Sequence, residues 1–114
     1  MDERVPTFVE EAAGNPVIDL AYLRARRREI LALAARHGGR EVYVFGSVAR
    51  GDARPDSDVD LLVAFEPGTS WIERSELREA LSTLLDGRDV DVVPLRESSD
   101  PALRAALARE AVAL

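Results

Sequence analysis

The chain has 114 residues, of which 46% are hydrophobic and 32% charged, with a net charge of −6 and no cysteine. That balance fits one soluble globular domain; it disfavours non-specific binding to nucleic-acid backbones, offers no run long enough to span a membrane, and removes disulfides, zinc–thiolate sites and thiol catalysis together. All 15 basic residues are arginine, so a Walker A loop, a protein-kinase strand lysine and a Schiff base are excluded, and any nucleoside triphosphate must be held by another architecture.

Residues 1–16 contain Pro6, Gly14, Asn15 and Pro16 and little periodicity, so they read as an N-terminal arm ahead of a single domain over 17–114. The start, Met1-Asp2-Glu3-Arg4, is acidic and lacks the apolar stretch of a signal peptide, which leaves the cytoplasm as the expected location. From Val17 to His37 the residues Ile18, Leu20, Leu23, Ile30, Leu31 and Leu33 recur near helical spacing, with Arg24, Arg26, Arg27 and Arg28 on a solvated face. Gly38-Gly39 ends that helix, and His37 reads as a charge at its C-terminus rather than a catalyst.

Glu41 to Phe45 reads as a short strand. Gly46-Ser47 breaks it, with Ser47 as the cap of a short helix reaching about Arg50. Gly51 to Ser57 is a loop, and the apolar run Val59 to Phe65 predicts a central strand covered on both faces. Ser70 to Leu85 predicts a second amphipathic helix with Ile72, Leu77, Leu81, Leu84 and Leu85 inward, and Trp71 in ordinary packing. Val90 to Val93 is a third strand. Asp100 as N-cap and Pro101 at the first helical position open a C-terminal helix, with Leu103, Leu107 and Val112 facing the sheet. The order predicts an α/β (α+β) domain, a small sheet of three to four strands flanked by helices.

The chemistry concentrates in three places. Asp58 and Asp60 stand two apart at the start of the central strand, so their carboxylates share a face. Such a pair repels unless a cation lies between, and Mg²⁺ takes one or two carboxylates together with substrate phosphates. Asp91 in the third strand joins them if that strand neighbours the central one, and three carboxylates can hold two metals for in-line displacement at phosphorus. Gly46-Ser47 supplies close backbone approach, a hydroxyl and a helix N-terminus suited to phosphate. Taken singly, an Asp-x-Asp pair is a common strand-entry motif, Gly-Ser is commonly a plain turn, and Asp91 could be an edge charge facing water. In combination, an acid at Asp60 running into a buried strand demands a partner.

The run from Gly46 to Val63, with Gly46-Ser47 followed after ten residues by Asp58-Val59-Asp60, resembles the signature of the minimal nucleotidyltransferase (MNT) group of the DNA polymerase beta superfamily. Val90-Asp91-Val92-Val93 resembles the group's third-carboxylate strand. The resemblance implies a mixed sheet of the polymerase beta-like nucleotidyltransferase fold, two Mg²⁺ ions on Asp58, Asp60 and Asp91, and ATP as substrate. It also implies that Gly46 and Ser47 hold the triphosphate and that Asp91 can accept the proton of the attacking hydroxyl. Arg50 and Arg54 are placed to help with phosphates, or else serve solubility.

MNT proteins act with HEPN-domain partners as toxin–antitoxin pairs, in which the HEPN protein is an RNase toxin and AMP is transferred to its tyrosine. A HEPN toxin in a hetero-oligomer is therefore the implied partner, with no membrane and no direct nucleic-acid contact. A chain this short is expected to rely on another chain for its acceptor. Val5, Phe8, Val9, Trp71 and the C-terminal helix are candidate interface surfaces, and Arg24 to Arg28 a further one. Two other readings remain at this point: a small-molecule nucleotidyltransferase, and an antitoxin that blocks its partner by binding alone.

Overall fold

Asp19 opens the first helix by accepting the Tyr22 amide N–H at 2.8 Å, a capping bond that satisfies one of the free first-turn donors. In the computed structural model, which describes residues 17–95 and 101–114, the single helix expected over 17–37 is two: α1 (Leu20–Ala25) and α2 (Arg27–Arg36). Arg26 is the break. Its guanidinium lies 3.6 Å over the Tyr22 ring and donates to the Tyr22 carbonyl at 3.1 Å, while its own N–H turns to the Leu23 carbonyl. A side chain has taken the acceptor that the helical ladder would have used. Hydrophobic periodicity runs straight through such a joint and cannot reveal it.

β1 (Gly39–Phe45) leads into α3 (Gly46–Arg50), β2 (Val59–Phe65), α4 (Trp71–Leu84), β3 (Val90–Pro94), α5 (Pro101–Glu110) and β4 (Val112–Ala113). The sheet order is β3-β2-β1-β4. β1 runs antiparallel to β2 with Phe45 opposite Asp60, and β2 runs parallel to β3 with Asp60 opposite Asp91 and Leu62 opposite Val93. The sheet is thus mixed, with four strands. Val112, expected on the C-terminal helix, instead pairs with Val44 in β4. The helix ends at Glu110, and the free edge of β1 takes up the tail, with Leu114 N–H donating to the Val42 carbonyl at 2.9 Å. Among the described residues no helix is long and apolar enough to cross a membrane.

The core lies on one face of the sheet. Leu23, Ile30, Leu77, Leu81 and Leu85 pack onto Val42, Val44, Leu61 and Val63, all buried. On β2 the alternation puts Leu61 and Val63 toward this core, and Asp60 and Leu62 on the other face. Leu62 is buried as well, on the face of β2 that carries Asp60. Ile72 and Trp71 depart from expectation: both are exposed, Trp71 at 67%. Ile72 is five residues from Leu77, which places it about 140° away from the inward stripe at 100° per residue. The expectations for residues 1–16, including Val5, Phe8 and Val9, and for Asp100 as a cap lie outside the described residues, as do the side chains of Leu103 and Leu107.

Leu81 has no exposed surface and sits at the centre of the helix–sheet contact. Leu81→Ala should cost about 2–5 kcal/mol, a large part of the stability of a domain this size. Urea unfolding would show it as a lower midpoint at unchanged slope.

Candidate active site

β1 stops at Phe45 because Gly46 turns the chain, with φ +71. That left-handed conformation carries little cost only for glycine. A Cβ built on Gly46 would collide with Oδ2 of Asp60, so the missing side chain lets the backbone and the carboxylate approach each other. α3 begins at once. Its N-cap is Phe45, and no side chain caps it. Ser47 is therefore not the cap expected from the sequence. It sits inside the first turn, half-buried, and its carbonyl accepts from Gly51 and Asp52 to close the helix.

The antiparallel register delivers Asp60 next to this turn, since Phe45 and Asp60 are partners. The parallel register delivers Asp91 on the other side, since Asp60 and Asp91 are partners. Asp58 lies just ahead of β2 and is exposed. Three acids on adjoining backbone segments leave an electrostatic mark. The Asp60 carboxyl is held above the ordinary carboxylate range, chiefly by burial, then by the Asp91 carboxylate and a hydrogen bond with it, then by Asp58, with Arg50 opposing. Carboxylates that crowd one another in this way form the all-oxygen donor set that a hard divalent cation matches. The residues present fit Mg²⁺.

The turn, Asp58 and Asp60 line one open cleft of about 570 Å³ together with Ser47, Arg50, Leu62 and Val93, and Asp91 stands beside it through its pairing with Asp60. Arg50 reaches Asp52 at 3.4 Å and Glu110 at 3.7 Å. Arg54 is exposed in the loop, where its N–H donates to Ser57 Oγ at 2.8 Å, and its side chain does not line the cleft. Sequence reasoning brought together Gly46, Ser47, Asp58, Asp60 and Asp91 but missed Phe45, Leu62 and Val93 as cleft residues. The signal was available in the strand period, since Leu62 and Val93 each follow a site aspartate by two.

A second group of metal-ligand types lies elsewhere. His37, Glu73 and Glu76 bring ligand atoms within 4.8 Å of one another, with His37 Nδ1 at 2.9 Å from Glu73 Oε1. His37 precedes β1, and β1 ends at Phe45, so this trio sits at the opposite end of the strand from Asp60. The contact between His37 and Glu73 ties the C-terminus of α2 to the start of α4.

The chain is similar to known proteins over most of its length. The family described as "Polymerase beta, Nucleotidyltransferase" matches residues 28–114. Protein adenylyltransferase MntA of Thermococcus cleftensis is 43% identical over 92 residues, covering 81% of this chain and 88% of that protein. A solved structure described as a minimal nucleotidyltransferase superposes with a TM-score of 0.72 at 54% identity, over 85% of this chain and 97% of the other. A chain from the complex of tri-AMPylated Shewanella oneidensis HEPN toxin with MNT antitoxin superposes with a TM-score of 0.58 at 26% identity, over 79% of this chain and 69% of that one. The family match spans α2 to the last residue and takes in the Gly46 turn and all three aspartates; this chain is a nucleotidyltransferase and belongs to the polymerase beta nucleotidyltransferase family.

Proposed function

We propose that this chain transfers AMP from ATP to a tyrosine hydroxyl of a HEPN-domain toxin, and so acts as its antitoxin. One observation carries the reading: the Gly46 backbone lies against the Asp60 carboxylate in a single cleft, and Asp60 pairs with Asp91 on the next strand. A phosphate-type turn and a metal-type acid cluster in contact are what nucleotidyl transfer requires. The name of the Thermococcus cleftensis relative and the AMPylated toxin in the Shewanella oneidensis complex support a protein acceptor.

In this reading residues 17–114 form the working domain. Gly46 and Ser47 hold the triphosphate through the first-turn N–H groups of α3 and the serine hydroxyl. Arg50, at the cleft, adds positive charge toward the phosphates, and Arg54 contributes from the loop. Asp58 and Asp60 hold two Mg²⁺ ions, with Asp91 completing the set. Bound Mg²⁺ supplies neutralisation of charge on the α-phosphoryl group and the departing pyrophosphate. Asp91 accepts the proton of the attacking phenol. The acceptor oxygen forms its bond to the α-phosphorus as the bond to pyrophosphate breaks, and pyrophosphate leaves. The site's negative field explains why metal-free protein should not retain ATP.

The test incubates the chain with α-labelled ATP, Mg²⁺ and the HEPN-domain protein encoded beside it. Label should move to a tyrosine of the HEPN protein, and Asp58→Asn/Asp60→Asn should abolish transfer while still binding the partner. Neutralisation unchanged in that variant, with no label moved by the wild type, would establish a blocking antitoxin instead. Label found only on small hydroxyl compounds would establish the small-molecule enzyme.

A further inference from the structure

Part of the cleft lining is apolar, and its position follows from strand register. Asp60 and Leu62 share one face of β2, Asp91 and Val93 share the same face of β3, and the two pairs are in register as Asp60 with Asp91 and Leu62 with Val93. Two carboxylates form one row, and two aliphatic side chains form the next row, about 6.6 Å further along the strands at ~3.3 Å per residue. Leu62 is 3% exposed and forms the floor, while Val93 is 43% exposed at the rim. An exposed valine beside a buried leucine, both lining the same cleft as Asp58 and Asp60, is a surface that an apolar group could cover.

The direction of the reaction decides which group that is. In-line displacement places the incoming oxygen opposite the leaving pyrophosphate. The phosphate turn Gly46-Ser47 continues from β1, and the order β3-β2-β1 puts Asp91 and Val93 on the far side of Asp60 from that turn. The acceptor therefore enters over β3. Among the described residues β3 is also the last strand of the sheet, so its outer side is an edge there. A phenol carries its oxygen at the rim of an apolar ring. With that oxygen at the carboxylate row, the ring falls on the next row.

We infer that Leu62 and Val93 form the seat for the aromatic ring of the acceptor tyrosine, making Val93 a specificity-determining residue that favours tyrosine over serine or threonine. This rests on the proposed protein-adenylylating function. A serine brings its oxygen on a single carbon and leaves the seat uncovered, so it forgoes the burial energy that tyrosine gains.

The experiment follows methyl and amide resonances of the full chain. Mg–AMP-PNP should shift the amides of Ser47 and Asp60. Millimolar N-acetyltyrosinamide added to that complex should then shift the Leu62 and Val93 methyls, and N-acetylserinamide should not. Val93→Asp should abolish the tyrosinamide shifts and raise the KM for the HEPN acceptor by about tenfold or more, with Mg–AMP-PNP affinity within about twofold. Val93→Ala, a milder change, should raise that KM by a smaller factor. Unmoved methyls on tyrosinamide addition, or methyls moved equally by the nucleotide alone, would overturn the seat and leave the proposed function standing. Absence of any amide response to Mg–AMP-PNP at Ser47 and Asp60 would overturn the function itself.

Discussion

Asp60→Asn should lower AMP transfer by about three orders of magnitude, roughly 4 kcal/mol of barrier at 1.36 kcal/mol per tenfold, while raising the melting temperature of the metal-free protein. Both effects have the same origin. Asp60 stands between Asp91 and Asp58 in a partly buried position, and its carboxyl is pushed above the ordinary range by burial and by those neighbours. At neutral pH the metal-free fold therefore carries a repulsive cluster. The amide keeps the shape, removes one negative charge and still accepts a hydrogen bond. A gain of about 1 kcal/mol would raise the melting temperature by roughly 4–8 °C in a domain of this size. The same change removes a ligand from the set proposed to hold Mg²⁺.

Thermal unfolding with and without Mg²⁺ and ATP separates the two consequences. The wild type should be stabilised by the ligands, as any ligand binding only the folded state stabilises it, and Asp60→Asn should lose that increment. A variant that melts lower than wild type without metal, or retains transfer within tenfold, would mean that the three acids are not a strained metal site.

The central chemistry was readable because it is written at short range. The acids two apart at the start of β2, the Gly-Ser pair ten residues ahead of them and the aspartate in the next strand are short patterns, and register places them on neighbouring segments. The identity of the neighbours was conditional: Asp91 joins only because β3 lies parallel against β2, with Asp60 opposite Asp91. Other features depend on events that periodicity does not encode. The break at Arg26 comes from a guanidinium competing for a backbone carbonyl. β4 is two residues long, too short for an alternation pattern, and forms because β1 has a free edge. Trp71 has the composition of a core residue, but its phase on α4 sends it outward. Ser47 has the residue type of a cap, yet Gly46 turns the chain one residue earlier and makes Phe45 the cap. That shift leaves the serine hydroxyl inside the first turn rather than committed to capping the helix.

Gly46→Ala should reduce transfer by about a hundredfold or more and destabilise the protein by about 1–3 kcal/mol. Two terms contribute. One is backbone strain: φ is +71, and an L side chain there costs about 1–2 kcal/mol. The other is steric: the new methyl meets Asp60 Oδ2, which must rotate away. Asp60 has little room, since its backbone is paired to Phe45 on one side and to Asp91 on the other. Displacing its carboxylate moves a proposed metal ligand, and small misplacements at a reacting centre are costly in rate. Gly51 separates the terms within the same motif. It caps α3 with φ +84, and a Cβ there meets nothing within 4 Å. Gly51→Ala should therefore carry the strain cost alone and keep transfer within a few-fold of wild type. Urea midpoints and transfer rates of the two variants give the comparison directly. Equal losses of stability with transfer preserved in both would make Gly46 a turn residue and nothing more. A selective loss of transfer in Gly46→Ala identifies the contact between the turn and the Asp60 carboxylate as the feature on which the reaction depends.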